Sequence, residues 1–128
     1  MFVGISAQTV EFKKTPPPIQ YVQQGDTATF EWDYDKVKYQ LVFGAWKRTD
    51  SNTVCVSQVG YNRPIYHCGS NYQLQGIATL LIRNVTSSMS GEYGCVLSLL
   101  VSLGRPPRDL KSTSVLRVIS KLHDILDE

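Results

Sequence analysis

Hydrophobic residues recur at every second position in several stretches of this chain, the period of a strand with one buried face. Ala28, Phe30 and Trp32 share one face in this way, as do Leu80 and Ile82, Tyr93 and Cys95, and Leu116 and Val118. The pattern predicts strands over Thr9–Phe12, Ile19–Gln23, Thr27–Trp32, Tyr39–Arg48, Thr53–Val59 and Pro64–Cys68, and a short one within Ser70–Gly76. Further strands follow around Leu80–Ile82, up to Cys95 and onward through the apolar run Val96–Leu103, and over Ser112–Ile119. Turn chemistry separates them: Pro16-Pro17-Pro18, Gln24-Gly25-Asp26, Gly60–Arg63, Asn84–Ser90 and Gly104–Asp109. Three successive prolines remove three backbone donors, which suits only a sheet edge or a crossing between sheets. Leu122, Ile125 and Leu126 in the tail have helical spacing; a linker is favoured there over a short helix.

The hairpin at Gly60–Arg63 fixes a register. With Tyr61 and Asn62 as turn residues, Val59 faces Pro64 and Cys55 faces Cys68. Counting outward from a bonded Gly60–Arg63 pair puts both at non-hydrogen-bonded sites. Pro64 is harmless at such a site, and two cysteines approach closely enough there to bond. The expectation is a Cys55–Cys68 disulfide with Cys95 as a buried free thiol; other pairings, or none in a reducing compartment, stay open.

The stretch Leu80–Cys95, LLIRNVTSSMSGEYGC, carries the most specific signal. Leu80, Ile82, Val85, Gly91, Tyr93 and Cys95 resemble the E strand, E–F turn and F strand of an immunoglobulin superfamily domain. Only the family's Asp is missing, and Met89 holds its place. The resemblance implies an all-β, Greek-key, V-set-like immunoglobulin sandwich over residues 9–120. Residues 1–8 would be a leader remnant or the edge of an excised ectodomain, and 121–128 a linker or short tail. It also implies a tyrosine corner at Tyr93 and core roles for Leu80, Ile82 and Trp46. One departure is sharp. The strand B position that normally carries the cysteine bridging to strand F is Trp32, so the usual B–F disulfide is lacking. A buried indole removes about 150–250 Å² from water, or roughly 4–6 kcal/mol at most. A native disulfide contributes about 2–5 kcal/mol, so Trp32 can replace the bridge by filling its space. Trp46 follows one or two residues later than the family's spacing, which leaves the inward parity of strand C open.

Composition changes this picture little. At 128 residues and 42% hydrophobic the chain supports one folded core, and a formal charge of +2 points to neither nucleic acid nor an acidic membrane. Constellations for catalysis are absent. His67 and His123 lack partners at metal-ligand spacing, and there is no Gly-rich phosphate loop and no G-x-S-x-G elbow. Asp33 and Asp35 flank Tyr34 as a solvated turn more often than as a calcium site, and Cys95 without an electropositive neighbour is packing. The reading is a non-enzyme without cofactor or metal. Asn84-Val85-Thr86 is an N-glycosylation acceptor at the entry to an exposed turn.

A sandwich without chemistry works through its surface. With Tyr93, Cys95 and Trp46 inward, Leu41, Phe43, Val96, Leu100 and Val115 face outward on the G-F-C-C′ sheet, rimmed by Arg105 and Arg108. A one-residue slip on strand C instead buries Leu41 and Phe43 and exposes Val42 and Trp46. The family pairs through this sheet, so the resemblance implies a protein partner and a place outside the cell, in a plasma-membrane protein anchored beyond this chain. Phe43–Trp46 (FGAW), Glu92–Cys95 (EYGC) and the missing strand B cysteine resemble variable-type domains of colonial hydrozoan allorecognition receptors. That implies homophilic binding between opposing cells. A heterophilic immune or adhesion receptor using the F–G loop, and a structural spacer in an extracellular array, are the alternatives.

Overall fold

Two sheets account for all nine strands among the described residues, which are 10–51, 53–59, 64–76, 78–102 and 104–120 of a computed structural model. The expected remnant at 1–8, the tail at 121–128 and the Gly60–Arg63 turn lie outside them. The strands are β1 Ile19–Gln23, β2 Ala28–Trp32, β3 Gln40–Arg48, β4 Thr53–Val59 and β5 Pro64–Cys68. They continue as β6 Tyr72–Gln75, β7 Ala78–Ile82, β8 Gly91–Leu100 and β9 Arg108–Ile119. The larger sheet has the order β1-β9-β8-β3-β4-β5 and the smaller β2-β7-β6. The fold is the expected immunoglobulin-like sandwich. Two details differ from the sequence-based expectation. Residues 10–12 form no strand; Val10 and Phe12 pack against the core, and the segment meets the end of β2 through a Lys14–Asp33 bridge and a Lys14–Glu31 ion pair. β9 begins at Arg108, because Arg108 and Asp109 already pair with Leu99 and Ser98.

After the prolines the chain has changed partners: β1 runs parallel to β9, with Ile19 beside Val115 and Val22 beside Val118. Opposite it, β2 keeps strict alternation, with Ala28, Phe30 and Trp32 fully buried and Thr29 and Glu31 exposed. Its cross-strand partners on β7 are Ile82, Leu80 and Ala78. The bulk of Trp32 therefore sits beside the smallest of the three, which leaves room for a second indole. That indole is Trp46, reaching from β3 in the other sheet to donate Nε1–H to the Ala78 carbonyl at 3.2 Å. Phe30 stacks on Trp32 at 5.5 Å and meets the Tyr93 ring of the opposite sheet at 5.3 Å. The two sheets are joined by these contacts where the family would place a bridge. Trp32 Nε1 is buried with no hydrogen-bond partner among the described residues, an unmet donor that costs about 1–3 kcal/mol.

The sulfurs lie in one row. Register pairs Cys68 with Cys55, Cys55 with Trp46, Trp46 with Cys95, and Cys95 with Ser112. Cys55 and Cys68 are bonded, with Cα atoms 4.1 Å apart, and Cys95 is a buried free thiol. Burial pushes the Cys95 thiol well above its ordinary pKa. Gly44 completes the arrangement, since a Cβ there would come within 2.8 Å of the Trp46 ring and 3.2 Å of Leu97.

At the opposite end of β8 the turn Asn84–Ser90 contains one 3-10 turn, Ser87–Met89, and a tyrosine corner. Tyr93 donates its hydroxyl to the Met89 carbonyl at 2.7 Å. Arg48 at the end of β3 holds the same turn from the side. Its guanidinium donates to the Ser88 and Ser90 carbonyls, both at 2.7 Å, and its Nε lies 2.9 Å from Asp50. Gly91, at φ +153°, leaves space for that guanidinium, which a Cβ would approach to 3.0 Å.

Candidate functional site

The outer face of the six-stranded sheet is set by alternation on each strand and by two irregularities of β3, one against β8 between Leu41 and Phe43 and one against β4 between Trp46 and Lys47. Cross-strand neighbours share a face, so Cys95 and Trp46 inward put Val96 beside Ala45 outward, and Ala45 beside Val56. Phe43 follows two residues from Ala45, flanked by Ser98 on β8 and Gln58 on β4, and keeps 37% of its surface exposed. Leu100 stands beside Gln40 at the end of the strand. Phe43, Ala45, Val56, Val96 and Leu100 thus form one apolar strip across three strands. Val96, Leu100, Ala45 and Val56 are half-buried by their neighbours, and Phe43 stands highest.

Leu41 does not belong to it. A bulge interrupts β3 between Leu41 and Phe43, so that Leu41 pairs with fully buried Leu99 while Phe43 pairs with Ser98. The extra residue, Val42, reverses the alternation, and Leu41 and Tyr39 turn to pack against the core. Neither uniform reading of strand C holds: Trp46 is inward and Phe43 outward, but Leu41 is inward as well.

Val115 also stands apart. On β9 the outward residue beside Val96 is Lys111, and Val115 lies four residues further, about 13 Å along the strand. Its neighbours are Glu92 on β8 and Ile19 on β1, the latter 40% exposed. Arg108 is no rim residue of the outer face either. Its partner is buried Leu99, so alternation points it off that face, at the end of the sandwich, where it stays exposed. Asp109 takes the rim position, its carboxylate accepting from Ser98 Oγ at 2.7 Å. Arg105 is in the loop between β8 and β9, exposed.

Val56, Gln58, Lys47, Lys111 and Asp109 join the face without having been singled out. For Val56 the signal existed: an inward Cys55 forces its successor outward. For Asp109 it did not, because a Pro-Pro-Arg-Asp run reads as loop.

Of the acidic pair flanking Tyr34, Asp33 gives its backbone to Lys13 and Lys14. Asp35 caps the turn before β3, accepting from the Val37 and Lys38 amides at 2.9 and 3.3 Å. The Val37 hydrogen bond chiefly holds its carboxyl below the usual range. Among the described residues, no three His, Cys, Asp or Glu side chains gather as a metal site, and no helix is long and apolar enough to cross a membrane. Asn84 is exposed, with φ 52°, at the start of the turn that leads to β8.

Sheet order, tyrosine corner and inward tryptophan together define an immunoglobulin-like, V-set-like sandwich fold. No family model and no curated protein matches the chain. Its fold is similar to that of murine CRIg (TM-score 0.66, 15% identity, covering 87% of this chain and 97% of that one). It is also similar to the V domain of amphioxus IgVJ-C2 (TM-score 0.59, 22% identity, 78% of this chain and 99% of that one). Drosophila OTK extracellular domains 3–5 match at TM-score 0.57 and 19% identity, over 89% of this chain and 36% of that one.

Proposed function

We propose that the chain is an extracellular recognition domain of a cell-surface receptor. It binds a protein partner through the outer face of its six-stranded sheet, and that partner is a second copy of the domain on an opposing cell. The observation that carries this reading is the strip of Phe43, Ala45, Val56, Val96 and Leu100, with an aromatic side chain standing 37% exposed above half-buried neighbours. An aromatic anchor ringed by smaller apolar groups and a polar margin is the anatomy of a binding hot spot. Lys47, Lys111 and Asp109 supply that margin. The likeness in fold to extracellular domains and to a V domain supports the placement outside the cell, as does the Cys55–Cys68 bond, which persists in oxidising surroundings. Matching of allelic variants is the use that fits a self-pairing face of this kind. Asn84, at the opposite end of β8 from Leu100, carries a glycan in this setting and leaves the strip clear.

Beads coated with the domain test the reading. Two differently labelled populations carrying the same chain should form mixed aggregates, and beads carrying Phe43→Asp should stay dispersed. Dispersed wild-type beads that cluster only with beads bearing other proteins from the same cells would favour a heterophilic receptor. Beads inert toward both would favour a spacer.

A further inference from the structure

We infer a second binding site, for a sulfated or carboxylated polysaccharide, at the end of the sandwich formed by the β2–β3 turn and the β8–β9 loop. The topology brings these connections together around Val101, which lines two adjoining concavities of about 200 and 390 Å³. Lys36 and Lys38 flank the first, beside Leu100 and Ser102. Arg105 and Arg108 flank the second, with Pro106 and Pro107 between them. All four cations are exposed, and among the described residues none forms an ion pair, whereas Lys14 and Arg48 each have a carboxylate partner.

Among the described residues, the carboxylates around this end form no ion pair with the four cations, although Asp35 feels the charge of Lys38 and, with Glu11, shares a neighbouring hollow with it. Asp35 caps the backbone of its own turn, and Asp109 is held by Ser98 on the outer face. Positive charge lies on both sides of a shallow surface that mixes apolar groups (Val37 is 91% exposed, and both prolines are exposed) with the neutral polar side chains of Gln40 and Ser102.

A protein footprint centres on a desolvated anchor. Phe43 provides one on the sheet, whereas at the tip Tyr39 is half-buried and packs against the core, so that it shows only part of its surface in the first hollow. Cations spaced around an open surface instead match the regularly repeated anions of a polysaccharide, bound mainly by charge. This site does not depend on the self-pairing reading.

The test uses the whole chain and a heparin-derived octasaccharide in titration calorimetry at low salt. R105S/R108S and K36S/K38S should each weaken binding by about tenfold or more, while K47S/K111S, with the same charge loss on the sheet face, should change it by about twofold or less. Raising the salt to about 0.3 M should remove most of the binding. Phe43→Asp should leave it unchanged, so this proposal and the self-pairing one fail separately. No binding at low salt, or equal losses from all three double variants, would overturn the site. Equal affinity for a poly-glutamate peptide of matched charge would reassign it to acidic protein segments. The substituted side chains are exposed, and unchanged thermal midpoints would establish that the variants fold.

Discussion

Two tryptophans with the same burial but opposite polar fates allow the join between the sheets to be weighed. Trp32 and Trp46 are both fully buried, yet Trp46 donates its N–H to Ala78 across the sheets and Trp32 finds no acceptor among the described residues. Replacing either with Phe removes the same atoms and a similar volume, so the packing losses nearly cancel in the comparison. At Trp46 the substitution also removes a hydrogen bond worth about 0.5–1.5 kcal/mol. At Trp32 it removes an unmet donor and returns about 1–3 kcal/mol. Trp46→Phe should therefore be the more destabilising by about 1.5–4.5 kcal/mol. Urea unfolding followed by circular dichroism, with equal m-values as the check that both variants unfold from similar states, measures the difference. Equal losses at both positions would refute the reasoning, because they would mean that Trp32 finds a partner, or that the Trp46–Ala78 bond contributes nothing.

Gly44→Ala should cost about 1–3 kcal/mol in the same assay, since a methyl within 2.8 Å of the Trp46 ring forces the indole to move in a filled core. An unchanged midpoint would show that the ring yields freely. Stability should also fall on the alkaline side. Burial raises the folded-state pKa of Cys95, and burial followed by the neighbouring Tyr72 hydroxyl raises that of Tyr93. Both groups ionise more readily unfolded, so their contributions are complete below the ordinary thiol and phenol values of 9.0 and 10.0 and decline above them. Thermal midpoints should be level with respect to these groups up to about pH 8.5 and drop beyond it, with Cys95 unreactive to iodoacetamide until the chain unfolds. Midpoints that rise between pH 9 and 10.5 would contradict the sign. Expression through a eukaryotic secretory pathway should yield a glycan at Asn84 that glycosidase removes and Thr86→Ala abolishes; an unmodified mass would count against it.

The strands with unbroken alternation were legible in the sequence, because a period of two with one buried face leaves little freedom. β4 and β5 have the bounds their turn chemistry implied, and their register followed from where a proline and a pair of cysteines can be tolerated. β3 was not legible. A bulge costs one residue and leaves no composition signal, so Tyr39–Arg48 reads equally well in either parity. The long spacing between Trp32 and Trp46 was its trace, and Val42 is the residue that interrupts the alternation. That extra residue is what turns Leu41 away from the outer face. The start of β9 was hidden differently, since Pro106 and Pro107 mark a loop without showing where pairing resumes. The role of Arg48 leaves no local signal, because it depends on the turn Ser87–Ser90 arriving beside the end of β3, a contact some forty residues apart in sequence.

The apolar strip on the larger sheet is the proposed contact surface. Sedimentation equilibrium of the wild-type domain beside Phe43→Asp, over a range from micromolar to near-millimolar concentration, tests it most directly. The expected result is a reversible wild-type dimer and a variant that stays monomeric with an unchanged thermal midpoint. A wild-type domain monomeric throughout, or a Phe43→Asp variant that associates as strongly, would contradict it.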